Sequence, residues 1–236
     1  MPRPRAVREG VDFELVVPAP LAFEEAFWAA EGPAARIAGV DEAGRGPLAG
    51  PVAAGAVCMP PAVARELRAG PLARLTDSKK LSAGDRAELF GAIVSAAGVE
   101  WALGLASPEE IDRLNILRAT HLAMKRALEG LRCGVPDKAL VDGLPARGLP
   151  CGQEAVVKGD ARSFLVSAAS VVAKVSRDRI MDGLDARFPG YGFAEHKGYP
   201  TPAHLDALRR LGVSPCHRRS FGPVRDILEP ELFPGF

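Results

Sequence analysis

Residues 36–46 read Arg36-Ile37-Ala38-Gly39-Val40-Asp41-Glu42-Ala43-Gly44-Arg45-Gly46. The run from Ile37 to Val40 is apolar and stops just before a glycine turn, the pattern of a short buried strand. Two adjacent carboxylates stand at its end, and an arginine between two glycines follows at once. Carboxylate oxygens bind hard divalent cations. Glycine lets a backbone approach a ligand closely, and a guanidinium forks onto phosphate. The stretch points to a metal-dependent site acting on a phosphate-bearing polymer.

Two more acids stand at similar boundaries. Asp142 ends the apolar run Ala139-Leu140-Val141 and precedes Gly143; Asp160 follows Val156-Val157-Lys158-Gly159 and precedes a helix start near Ser163. Either acid alone would serve as a turn former or helix cap. Together with Asp41 and Glu42 they sit where α/β folds gather their sites. Four converging carboxylates would repel one another and raise their pKa values. Two magnesium or manganese ions about 4 Å apart would neutralise them and clamp an in-line phosphoryl displacement. Consecutive strand residues face opposite ways, so the strand is expected to end, twist or bulge at Glu42.

Strands are predicted over residues 36–42, 52–59, 99–106, 138–142 and 155–158, with a further strand near 13–17. Helices are predicted over 21–30, after the caps Ser82 and Ser107, on the face Leu117, His121, Met124, Leu128 and Leu131, and over 163–187 and 202–211. Early strands followed by strand–helix alternation imply α/β with a mixed sheet. Three parts are expected: a lead-in over 1–34 without an assigned role, a core over 35–190, and a C-terminal helical segment over 191–236.

At 236 residues and 47% hydrophobic composition the chain can bury a sizeable core. Net charge is only +1, but residues 158–225 hold 12 Lys and Arg against 6 Asp and Glu, leaving 18 against 23 elsewhere. A basic C-terminal third suits a phosphate-binding face, and solvated helices would give the same count. Cys58, Cys133, Cys151 and Cys216 show no zinc spacing and suit reduced thiols in a cytoplasmic protein. No signal-type run opens the chain, and the weakly polar run 47–64 is interrupted by prolines and glycines, so no membrane partner is expected. His196, His204 and His217 lack metal-ligand spacing. Tyr199 would either anchor its loop or stack on a sugar or base.

Taken in order, the motifs 39–52, Asp77-Ser78-Lys79-Lys80-Leu81, Val141-Asp142-Gly143, Lys158-Gly159-Asp160, 169–178, His196-Lys197-Gly198-Tyr199-Pro200-Thr201 and His217-Arg218-Arg219-Ser220-Phe221 closely resemble those of the type 2 ribonucleases H of the ribonuclease HII family. The resemblance covers roughly residues 35–225. It implies a ribonuclease H-like core that cuts the RNA strand of RNA–DNA hybrids and single ribonucleotides embedded in duplex DNA, using two Mn2+ or Mg2+ ions. By the same resemblance Asp41, Glu42, Asp142 and Asp160 are the metal ligands. Gly44, Arg45 and Gly46 read the ribose 2′-hydroxyl, and Tyr199 stacks at the junction sugar. Lys79, Lys80, Lys174 and Arg177 are expected on phosphates, and a monomer is expected. The histidines lie outside the acid-bearing segments, so activated water is the expected nucleophile. Cleavage 5′ of the ribonucleotide would then leave 3′-hydroxyl and 5′-phosphate ends. Two other classes remain open: a different metal nuclease on a related fold, and a silent nucleic-acid-binding module with structural acids.

Overall fold

The computed structural model describes residues 19–76 and 81–229. The strand expected near 13–17 and the residues Lys79 and Lys80 lie outside that range. One mixed sheet contains β1 (Ile37–Ala43), β2 (Val52–Cys58), β3 (Glu100–Ala106), β4 (Lys138–Asp142) and β5 (Gly152–Val156), in the order β3-β2-β1-β4-β5. The first three strands pair antiparallel; β4 lies parallel to both β1 and β5. The helices are α1 (Ala22–Glu31), α2 (Pro61–Ala69), α3 (Ala83–Ser95), α4 (Pro108–Leu114), α5 (Ile116–Glu129), α6 (Gly159–Arg162), α7 (Phe164–Arg187), α8 (Phe193–His196), α9 (Pro202–Leu211) and α10 (Gly222–Leu228). The α/β class with flanking helices and a C-terminal helical segment is the one expected.

Both sheet faces are covered, which is why the central strands read as continuous apolar runs. Ile37, Val57, Leu140 and Val156 pack with α7 and with Trp28 of α1 on one face. Ala38, Val40, Ala54, Ala56 and Val141 pack with α5 on the other. Glycine sets the spacing of these layers. A Cβ on Gly39 would lie 2.1 Å from the Leu165 carbonyl carbon of α7, and one on Gly104 would lie 2.0 Å from the Ala123 oxygen of α5. Of the lead-in, α1 is fastened to the core: the buried Glu24 carboxylate accepts from Ser163 Oγ at 2.6 Å and Leu165 N at 2.9 Å, at the start of α7. No helix among the described residues is long and apolar enough to cross a membrane.

Three expectations need correction. The last strand starts at Gly152 and ends at Val156; as an edge strand it is only partly covered, which tolerates Gln153 and Glu154. Lys158 is not in it but adopts φ 55°, turning the chain into α6. The face of α5 turned to the sheet is built on Ala119, Ala123, Met124, Ala127 and Leu128, while Leu117 is 50% exposed and His121 only half-buried. Finally, of the end, twist or bulge expected at Glu42, the end and the bulge are absent: β1 keeps regular register with β2 through Ala43 and Ala53.

Candidate active site

The acids meet where the parallel pairing stops. The β1–β4 ladder ends at Val40 and Val141, so Asp41 and Asp142 are the next residues on each strand. Glu42 follows on the opposite face of β1. A regular strand can thus present both acids near Asp142, because the ladder that would separate them has ended. Asp41 is buried; its carboxylate accepts from the Glu42 amide at 2.7 Å and from the Ser170 hydroxyl of α7. Burial, then the charges of Glu42 and Asp142, push its pKa well above the ordinary carboxylate range. Burial also raises Glu42, against the pull of Arg45, whose guanidinium lies 3.1 Å away. Asp142 Oδ1 accepts from Gly159 N at 2.6 Å, which brings the start of α6 against the end of β4. Asp160, the next residue, is 8% exposed.

Asp41, Glu42, Asp142, the 44–46 loop, Lys174, Arg177 and Tyr199 line one cavity of about 390 Å³. Asp160 is not among its lining residues. Successive turns of α7 deliver Ser170, Lys174 and Arg177 to it. Lys174 pairs with Asp178 at 2.8 Å. Among the described residues no three His, Cys, Asp or Glu side chains are drawn together tightly enough to hold a metal ion as they stand.

The glycine loop is held from behind by two arginines. Arg177 is 1% exposed and donates to the carbonyls of Pro51, Lys197 and Ala49 at 3.1–3.2 Å. Expected on a phosphate, its guanidinium here binds backbone oxygens and buttresses the loop at the edge of the cavity it lines. Arg218, quoted in a motif but given no role by the sequence, is fully buried. It donates to Gly50 O at 3.0 Å, Arg45 O at 2.9 Å and Gly44 O at 2.6 Å. Burial, with Arg177 beside it, pushes its pKa down to about 9, which leaves it charged at neutral pH. Two of the twelve basic residues counted over 158–225 thus face inward.

Tyr199 is 44% exposed and closes the other side of the loop; its Cε1 lies 3.5 Å from where a Gly46 Cβ would be. The loop and the tyrosine segment are one unit, because Leu48 N donates to Gly198 O at 2.8 Å and Arg218 N to Leu48 O at 2.8 Å. A larger groove of about 1130 Å³ runs on from Glu42, Arg45 and Asp142. It is lined by Arg118, His121 and Lys125 of α5 and by Arg147 of the β4–β5 loop. Burial lowers the His121 pKa, and Arg147 and Arg45 lower it further, a sign of concentrated positive charge. Arg118 and Lys125 were missed because cations so placed on a helix also describe an ordinary solvated face.

Known proteins share this sequence pattern and fold. The family model described as ribonuclease HII matches residues 38–224. The curated ribonuclease HII of Polynucleobacter necessarius subsp. necessarius (strain STIR1) is 53% identical over 196 residues, covering 82% of this chain and 95% of that protein. The crystal structure of ribonuclease H2 from Pyrococcus horikoshii OT3 matches with a TM-score of 0.68 at 32% identity, over 82% of this chain and 97% of that one. Bst-RNase HIII, solved in complex with Mn2+, has a TM-score of 0.66 over 94% of this chain and 76% of its own; at 16% identity the likeness is one of fold. The chain belongs to the ribonuclease HII family, hydrolytic endonucleases of the ribonuclease H class.

Proposed function

We propose that this enzyme hydrolyses the RNA strand of RNA–DNA hybrids and cuts on the 5′ side of ribonucleotides embedded in duplex DNA, leaving 3′-hydroxyl and 5′-phosphate ends. One observation carries the reading: three acids and the Gly44–Tyr199 pair line the same cavity. The 2′-hydroxyl is the group that distinguishes RNA from DNA. The backbone of the exposed loop residues Arg45 and Gly46 suits its recognition, and the Tyr199 ring suits packing on a sugar.

The donor set fits divalent cations. It is made of carboxylate oxygens, and Asp41 is buried against two like charges, a repulsion that bound cations would relieve. Asp41, Glu42 and Asp142, with Asp160 beside the Gly159 amide, are the proposed ligands of two Mg2+ or Mn2+ ions. Bound there, the ions would lower the pKa of water and offset charge on the phosphate. Arg45 must exchange its contact with Glu42 for substrate phosphate as the acids take up cations. Lys174 faces the cavity as a second phosphate contact. The groove bearing Arg118, Lys125 and Arg147 suits the duplex backbone beyond the cut. His196, His204 and His217 are engaged with one another and with backbone behind Tyr199. That supports hydrolysis by water over attack by the substrate's own 2′-hydroxyl.

The test is a DNA duplex carrying one ribonucleotide, incubated with Mg2+ or Mn2+ and resolved on a sequencing gel. A single cut 5′ of the ribonucleotide with a 3′-hydroxyl end is expected, and excess chelator should abolish it. A 2′,3′-cyclic phosphate, or cleavage of an all-DNA duplex, would overturn the reading.

A further inference from the structure

We propose that His217 and His204 are positioning residues for Tyr199, acting through a chain of hydrogen bonds with one direction, from Ser214 to the Tyr199 carbonyl. The proposal rests on the reading of Tyr199 as the residue that packs on the ribonucleotide sugar.

The direction follows from groups that have only one role. The Ser214 backbone N–H can only donate, and it lies 3.1 Å from His217 Nδ1. His217 Nδ1 must therefore accept, and its ring proton sits on Nε2. The Ser214 hydroxyl, 2.7 Å from the same Nδ1, adds a second donor. His217 Nε2 faces His204 Nε2 at 3.1 Å. Since the first donates, the second accepts, and His204 carries its proton on Nδ1. That atom is 2.9 Å from the Tyr199 carbonyl, which can only accept. The opposite tautomer of either ring would set two donors or two acceptors face to face. Both rings are buried, at 0% and 2% exposure, so water cannot mend such a fault.

The chain ends where it can act. The Tyr199 N–H donates to His196 O at 2.9 Å, and its carbonyl receives His204 Nδ1. The peptide is pinned at both ends while the ring projects over Gly46. His204 sits in the first turn of α9, its amide donating to the cap Thr201 Oγ at 3.2 Å, so the donor is held by a helix. His196 stacks on His204 with centroids 4.4 Å apart; its Nδ1 accepts from Gly198 N and its Nε2–H donates to Tyr191 O. His217 also bridges to Ala49, inside the segment whose carbonyls Arg177 and Arg218 grip. The His217 backbone is thus tied to the loop and the imidazole pair to the tyrosine, so one residue joins the two. Burial and the neighbouring ring lower both pKa values, His217 to about 4, in keeping with neutral rings at physiological pH.

The test compares His204→Leu with His204→Asn, whose amide nitrogen can replace Nδ1 as donor. Each is made in the unaltered protein and in Tyr199→Ala, and assayed on a one-ribonucleotide duplex with Mg2+. His204→Leu should raise KM roughly tenfold with little change in kcat, the scale of one missing buried hydrogen bond. His204→Asn should recover most of that loss, and neither change should matter further once Tyr199 is gone. Equal losses in both backgrounds would overturn the positioning role and leave the reading of Tyr199 standing. Wild-type behaviour of Tyr199→Ala would overturn both. Should His204→Leu not fold, proton–nitrogen NMR of the unaltered protein at neutral pH decides. His217 must be the Nε2–H tautomer and His204 the Nδ1–H tautomer; either ring in the other tautomer, or charged, overturns the proposal.

Discussion

The guanidinium of Arg177 fills the space that a side chain on Gly44 would need: a Cβ at Gly44 would lie 1.8 Å from Arg177 Nε. Gly44 also has φ 91°, where other residues are strained. Gly44→Ala must displace a guanidinium that is itself tied to three carbonyls. A shift of about 1 Å at a recognition loop is enough to cost roughly 100-fold in rate. Cleavage of a one-ribonucleotide duplex should fall by that order, while Arg45→Ala, which leaves the backbone in place, should cost less. Single-turnover rates of the two variants check this; equal losses would count against the packing explanation.

Arg218 makes the second prediction. Its guanidinium reaches three loop carbonyls at once, and a lysine offers one ammonium in place of that planar fork. Arg218→Lys should leave buried carbonyls unmet and destabilise the fold by about 2–4 kcal/mol. A melting curve measures the loss. Stability unchanged from the parent would show that the loop holds itself.

Most of what is local was legible. The β1 run, the acids at its end and the helix caps at Ser82 and Ser107 depend on neighbours within a few residues, and all formed. What failed depends on partners distant in sequence. Of the end, twist or bulge expected at Glu42, neither end nor bulge is needed, because the opening beside Asp41 comes from where the β1–β4 pairing stops. Arg177 looks like any surface cation until α7 places it behind the loop, 126 residues from the carbonyl of Pro51. Leu117 fits a helical apolar stripe, but Gly104 admits α5 on its alanine face and turns Leu117 outward. Asp160 was expected beside the other three acids and lies next to the amide that holds Asp142, its own role still a proposal.

The groove of Arg118, Lys125 and Arg147 predicts a salt effect. Removing one cation that neutralises a phosphate should reduce the slope of log affinity against log salt by about 1. Arg118→Ala and Arg147→Ala should each do so on RNA–DNA hybrid and on one-ribonucleotide duplex alike, with the rate at saturating substrate retained. Fluorescence anisotropy over a salt series measures it. Slopes equal to the parent would place the duplex elsewhere.

Asp41 links the site to stability. Its folded pKa is raised, so its favourable contribution is complete below the ordinary value of 3.8 and is lost as pH rises through the folded value. Asp41→Asn removes that loss. Without metal, the variant should match the parent in acid and become progressively more stable than it as pH rises toward neutrality. His217 works in the opposite direction: lowered from 6.5 to about 4, it costs stability as pH falls through that interval, equally in both proteins, and cancels in the difference. Removing this proposed metal ligand should also cost cleavage at least about 100-fold. Activity and metal-free stability should therefore move in opposite directions. Chemical denaturation of both proteins in chelator across this pH range is the measurement, and a difference that shrinks toward neutral pH would show that Asp41 is not held against its neighbours' charge.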